Sequence, residues 1–95
     1  MSALFIAISK ITDPEKLNQY LAGAPASMAG HEIELLAFST DAKVIEGTAP
    51  GTRVVVLKFP SQQAAMDWYN SPAYQAVVQL RLDATEGFGI LCDGM

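Results

Sequence analysis

The chain has few side chains able to do chemistry. It holds one histidine, His31, two arginines, Arg53 and Arg81, and one cysteine, Cys92. His31 is the one side chain whose ordinary pKa lies near neutrality, which makes it the natural candidate for moving a proton. It follows Gly30 at an expected helix-to-strand junction, where an imidazole could point into a cleft. A surface loop histidine is the plainer alternative. Arg81 shares a helical stripe with Tyr74, Val77 and Val78, so it should face inward or along an interface. A buried guanidinium has to be paired, usually with a carboxylate. Glu46, in the segment before Arg53, is a natural partner. Glu46, Arg53 and Arg81 therefore read in one of two ways: an anion-binding arginine oriented by a carboxylate, or a structural salt bridge locking helix to sheet. Trp68, Tyr69 and Tyr74 flank a Ser71-Pro72 turn. Aromatic rings bury large areas and keep a polar tip, so they could line a pocket in which the Ser71 hydroxyl and backbone amides supply polar contacts. The alternative is helix-to-sheet packing around a capped turn. The catalytic candidates are His31, Glu46 and Arg81, and the ligand-binding candidates are Arg53, Tyr69, Ser71, Tyr74 and Arg81.

Other chemistries leave no trace. One histidine and scattered carboxylates make no zinc cluster, so no metal is expected. No glycine-rich phosphate loop appears, and no cofactor is expected. A lone cysteine excludes an intrachain disulfide, and Cys92 reads as a small buried hydrophobe in a strand. The apolar start from Met1 to Ser9 lacks the basic residues of a signal peptide. It is also too short to span a bilayer, so no membrane partner and a cytoplasmic location are expected.

Composition bounds the partners. Lys and Arg number 6 and Asp and Glu number 10, for a net charge of −4, with 51% of residues apolar and 17% charged. A disordered chain would be less apolar and more charged. A nucleic-acid binder would cluster basic residues. A domain of this size still exposes about a third of its unfolded surface, yet charged residues to cover that surface are scarce. Large apolar patches mark interaction sites, so a sheet face covered by a second copy of the chain is expected: a homodimer.

These residues need elements to hold them. Ala3 to Ile11 is a short apolar run that fits a buried strand. Asp13-Pro14-Glu15 starts a helix with a cap, a proline at the first helical position and an acid at the positive dipole end. Pro25 should kink or break that helix near Gly23. Glu32 to Phe38 alternates like a strand, and Lys43 to Gly47 reads as a second, short hairpin strand. Arg53 to Phe59 is the clearest strand and Pro60 stops it. Ser61 caps a helix to about Asn70, Ser71-Pro72 repeats the device for another, and Gly87 to Cys92 is a last apolar strand. Without the hairpin the order is βαββαβ, the ferredoxin-like pattern. Residues 1–95 are read as one α+β domain, an antiparallel sheet with helices on one face.

The words from Val44 onward are specific. Val44-Ile45-Glu46-Gly47, the run Arg53 to Ser61, the phrase Trp68-Tyr69-Asn70-Ser71-Pro72-Ala73-Tyr74-Gln75, and Arg81 closely resemble the family known as domain of unknown function 1330. Asp13-Pro14-Glu15 with Tyr20 is similar to that family's first helix. The chain departs from the pattern at Gly30-His31 and at Ser39 to Ala42, where the family usually has Gly-Gly pairs, and at Ala73, where it usually has an acid. The resemblance implies a ferredoxin-like fold pairing into a dimeric α+β barrel, in a superfamily that includes cofactor-free monooxygenases and a lactone isomerase. The expectation for function is a small-molecule-binding protein with a pocket between sheet and helices for an apolar or anionic ligand. It could work by cofactor-free proton transfer or oxidation. The alternative is a non-catalytic dimeric module that binds a metabolite or a protein.

Overall fold

A computed structural model describes residues 1–95. The elements run β1 (Ala3–Ile11), α1 (Pro14–Ser27), β2 (Glu34–Ser39), β3 (Arg53–Phe59), α2 (Gln62–Tyr69), α3 (Pro72–Ala84) and β4 (Thr85–Asp93). The four strands form one antiparallel sheet in the order β2-β3-β1-β4. This is the α+β, ferredoxin-like arrangement expected from the sequence. No helix is long and apolar enough to cross a membrane.

The helix starts are fixed by the residues that announce them. Asp13 accepts from the Lys16 amide at 3.1 Å, Ser61 from Ala64 at 3.0 Å and Ser71 from Tyr74 at 3.3 Å. Each satisfies an amide that the first turn leaves free. Alternation along the strands then divides the sheet into two faces. Ala3, Phe5, Ala7 and Ser9 of β1 and Arg53, Val55, Leu57 and Phe59 of β3 face the helices, in register across the pair. The core lies on this side and is built around Trp68, Tyr74 and Phe59, the largest fully buried side chains. Leu4, Ile6 and Ile8, with Val54 and Val56, face the other way and are only half-buried. Beside them Phe88 and Ile90 of β4 are 47% and 49% exposed. β1 is therefore covered on one face only, rather than on both as its unbroken apolar run suggests.

Three expectations need correction. Lys43–Gly47 is not a strand: residues 40–52 form a loop, and Val44 and Ile45 stand exposed on it. Strand character needs a ladder partner, and no strand pairs with the segment. Its base is instead closed by Ala42 N–H to Thr52 O and Thr52 Oγ1 to Thr40 O. Pro25 neither breaks nor ends α1, which continues to Ser27. Placed in the last turn, it removes one amide near a terminus, where helical bonds are already running out. Cys92 is exposed, because its strand position points to the open face.

Candidate functional site

α1 packs chiefly on α3 and makes little backbone contact with the sheet. Gly23 permits this close approach, since a Cβ there would sit 3.0 Å from the Val77 methyl. A cleft of about 200 Å³ lies between α1 and the β2–β3 half of the sheet. Leu21, Ala24 and Met28 line one wall, and Leu35, Phe38, Val55 and Leu57 line the other. Its inner end is polar: Tyr20, Tyr74, Arg53 and Arg81 all reach it.

The polar end is tightly buried. Arg53 is 3% exposed, Arg81 8% and Tyr74 0%. The Tyr20 and Tyr74 hydroxyls are 2.8 Å apart and hydrogen-bonded. Trp68 packs on Tyr74 with ring centroids 4.0 Å apart and lines the cleft beside it. The indole N–H donates to Ser27 Oγ at 3.3 Å, which fixes its tilt. The Arg53 guanidinium lies over the Phe38 ring, 5.7 Å from its centroid, in a cation–π contact. Neither arginine meets a carboxylate. The one ion pair in the chain joins Lys16 and Asp83 at 3.9 Å, between α1 and α3 on the surface. Nε of Arg53, Nε of Arg81 and the Ser9 hydroxyl are buried without a hydrogen-bond partner. Ser9 sits directly opposite Arg53 in the β1–β3 register.

The electrostatics follow from this burial. Desolvation lowers the Arg53 pKa; the Tyr20 oxygen holds it up in part, and the charge on Arg81 pushes the same way as burial. Burial acts likewise on Arg81, but Tyr74, Tyr20 and Tyr69 together outweigh it and leave that group raised. Burial first, then the neighbouring Tyr74 oxygen, push the Tyr20 phenol well above its ordinary value.

The expected residues are only partly gathered. Arg53, Arg81 and Tyr74 converge on the cleft. Tyr69 packs between Phe5 and Tyr74 but lines neighbouring hollows instead. Ser71 is occupied as the α3 cap and in a 2.7 Å bond to the Trp68 carbonyl. His31 lies in the turn after α1, its amide bonded to Met28 O, and does not line the cleft. Glu46 is exposed in the 40–52 loop, so the pairing expected with Arg53 or Arg81 does not form. A loop segment with no ladder partner has nothing to bring it to the helix face of the sheet. Tyr20 and Phe38 were not among the expected site residues. The available signal was a tyrosine on the buried stripe of α1, whose hydroxyl must find a partner. No group of three His, Cys, Asp or Glu side chains gathers anywhere in the chain. A second apolar hollow of about 160 Å³, against Phe59, Met66 and Ile90, has only Tyr69 as a titratable group.

The family model for domain of unknown function 1330 matches residues 2–95. The chain belongs to the DUF1330 family. No curated protein matches its sequence. Among solved structures, this DUF1330 chain is similar to RPA0582 of Rhodopseudomonas palustris, a protein of unknown function, with TM-score 0.82 at 14% identity over 99% of this chain and 82% of that one. It is also similar to SnoaB of Streptomyces nogalater, described as a cofactor-independent oxygenase, with TM-score 0.67 at 12% identity over 99% and 93% of the two chains. A dimeric ferredoxin-like protein of unknown function from Thermobifida fusca gives TM-score 0.66 at 14% identity over 99% and 92%. At these identities the likeness establishes the fold that this DUF1330 chain shares with them.

Proposed function

We propose that this protein binds a small, largely apolar molecule in the cleft between α1 and the sheet, and that it works as a homodimer. The observation that carries the reading is the cleft itself: apolar walls closing on a buried polar end at Arg53, Arg81 and the Tyr20–Tyr74 pair. Ligand sites are commonly apolar hollows with a few convergent polar groups that orient the guest. The dimer is argued from the open face of the sheet, where Leu4, Ile6, Ile8, Val54, Val56, Phe88 and Ile90 lie without a covering layer. The molecule measures 32 × 31 × 15 Å. Its broad face is large enough to bury the roughly 800 Å² per partner typical of stable interfaces. Among proteins of this fold, the Thermobifida fusca structure is described as dimeric, which supports the same assembly here.

SnoaB shares the fold and is described as a cofactor-independent oxygenase, which supports a cofactor-free reaction on a bound guest. Against catalysis stands the composition of the cleft. The candidate acid–base residues His31 and Glu46 lie outside it, and its phenol Tyr20 is a poor base because burial keeps it protonated. The binding reading is therefore the primary one. A thermal-shift screen of apolar aromatic and aliphatic metabolites, with oxygen consumption followed for each binder, tests both. Binders that raise Tm and leave oxygen untouched support the binding module. Binders consumed with oxygen uptake and no added cofactor support the enzyme. A screen without any binder overturns the ligand site.

A further inference from the structure

We infer that the molecule held in the cleft is a monocarboxylate, its apolar body between α1 and β2–β3 and its carboxylate seated on Arg53 and Arg81. The inference rests on the cleft being a ligand site and adds the charge and chemistry of the ligand's head.

The argument starts from what the inner end lacks. Two guanidinium groups lie at least nine-tenths buried with their Nε atoms unpartnered, and no carboxylate is paired with either. A buried cation without a counter-charge is destabilising, and a second one nearby makes it worse. The Tyr20–Tyr74 pair does not supply a negative charge, since burial holds the Tyr20 phenol protonated. One phenol donates to the other, so one phenolic proton remains to be given. The unpartnered Ser9 hydroxyl, opposite Arg53 in the sheet, opens on a neighbouring hollow instead. The inner end therefore presents a surplus of donors and holds no anionic acceptor.

An ionised carboxylate is acceptor-only and offers two oxygens. A guanidinium matches it with parallel N–H bonds in a fixed plane. One carboxylate can thus accept from Arg53 and Arg81 together and still take a phenol. A phosphate dianion would bring more charge and a larger hydration shell through walls of Leu, Met, Phe and Val, which give it no contacts. A neutral head would leave both guanidinium groups without a carboxylate. The walls require the remainder of the molecule to be apolar.

The test uses the whole protein and matched probes: octanoate and 4-butylbenzoate against their methyl esters and 1-octanol, by isothermal titration and thermal shift. Carboxylates should bind at least tenfold more tightly than the uncharged partners. Arg53→Gln and Arg81→Gln should each lose at least tenfold for the carboxylates and much less for the esters. Arg53→Met, measured without ligand, should melt at or above the parent temperature, because the arginine is retained for a guest rather than for the fold. Equal binding of acids and esters overturns the carboxylate head and leaves the cleft as a binding site. Absence of binding by every probe overturns the cleft reading and this inference with it. Melting of free Arg53→Met well below the parent assigns Arg53 to the fold and overturns the inference.

Discussion

Tyr20 and Tyr74 come from helices 54 residues apart in sequence, yet their hydroxyls share one buried hydrogen bond. Replacing Tyr20 with Phe leaves the Tyr74 hydroxyl buried without its partner. The expected cost is about 1–3 kcal/mol of folding stability, read by urea unfolding. Adding Tyr74→Phe should cost less than the sum of the single changes, because the second substitution removes the orphan. The pair also sets an alkaline limit. The folded-state pKa of Tyr20 is raised, by burial first and then by Tyr74, above the unfolded value of about 10. The folded protein therefore keeps a proton that the unfolded chain gives up. This contribution is whole below pH 10 and is lost as pH rises from there, at about 1.4 kcal/mol per unit. Unfolding free energies at pH 9 and pH 11 should fall more steeply for the parent than for Tyr20→Phe, and equal slopes would remove Tyr20 from the account. This long-range meeting is what the sequence could not display. Tyr20 sits on an apolar helical stripe as any core residue would, and nothing near it in the chain reveals Tyr74.

At the scale of elements, local chemistry was legible and partnership was not. Asp13-Pro14, Ser61 and Ser71-Pro72 each announce a helix start, and each makes the cap its residue type prescribes. The Val-rich run after Arg53 is the strand it reads as. Lys43–Gly47 carries the same β-branched residues, but a strand exists only where a neighbour completes the ladder, and sequence pattern does not count neighbours. The same blindness paired Glu46 with Arg81, a match that required the missing strand. Two glycines hem in the backbone around Ser9, the residue opposite Arg53. Gly51 and Gly87 pass the β1 backbone so closely that a Cβ on either would meet the main chain around Ser9. Gly51→Ala should therefore force backbone apart next to Arg53, at about 1–3 kcal/mol for overpacking, with weaker ligand binding alongside the lost stability. An Ala variant as stable as the parent would show that the loop yields freely and that the close approach has no consequence.

For the whole molecule, the accessible surface of 5811 Å² exceeds the about 5300 Å² expected of a compact monomer of this mass. The excess belongs to a disc only 15 Å thick, one sheet with helices on a single side. Low charge and high apolar content fit the same arrangement: Phe88 and Ile90 of β4 are exposed beside the half-buried Leu4, Ile6 and Ile8 on the open face. Ile90→Asp, placed at the 49% exposed centre of β4, should yield a folded monomer by light scattering at concentrations where the parent runs as a dimer. It should also make the midpoint of unfolding independent of protein concentration. A parent that is monomeric under those conditions would remove the dimer.

The contact of Gly23 with Val77 has a consequence for how this family diversifies. It is a tight seam: any side chain at position 23 would press α1 and α3 apart, since a Cβ there already reaches within 3.0 Å of the Val77 methyl. On the binding reading proposed above, the dimensions of the guest are then written partly in a seam that no guest touches. Two relatives with identical cleft linings need not accept the same molecule, and a drift in selectivity can begin with an exchange of small residues on the far side of a helix.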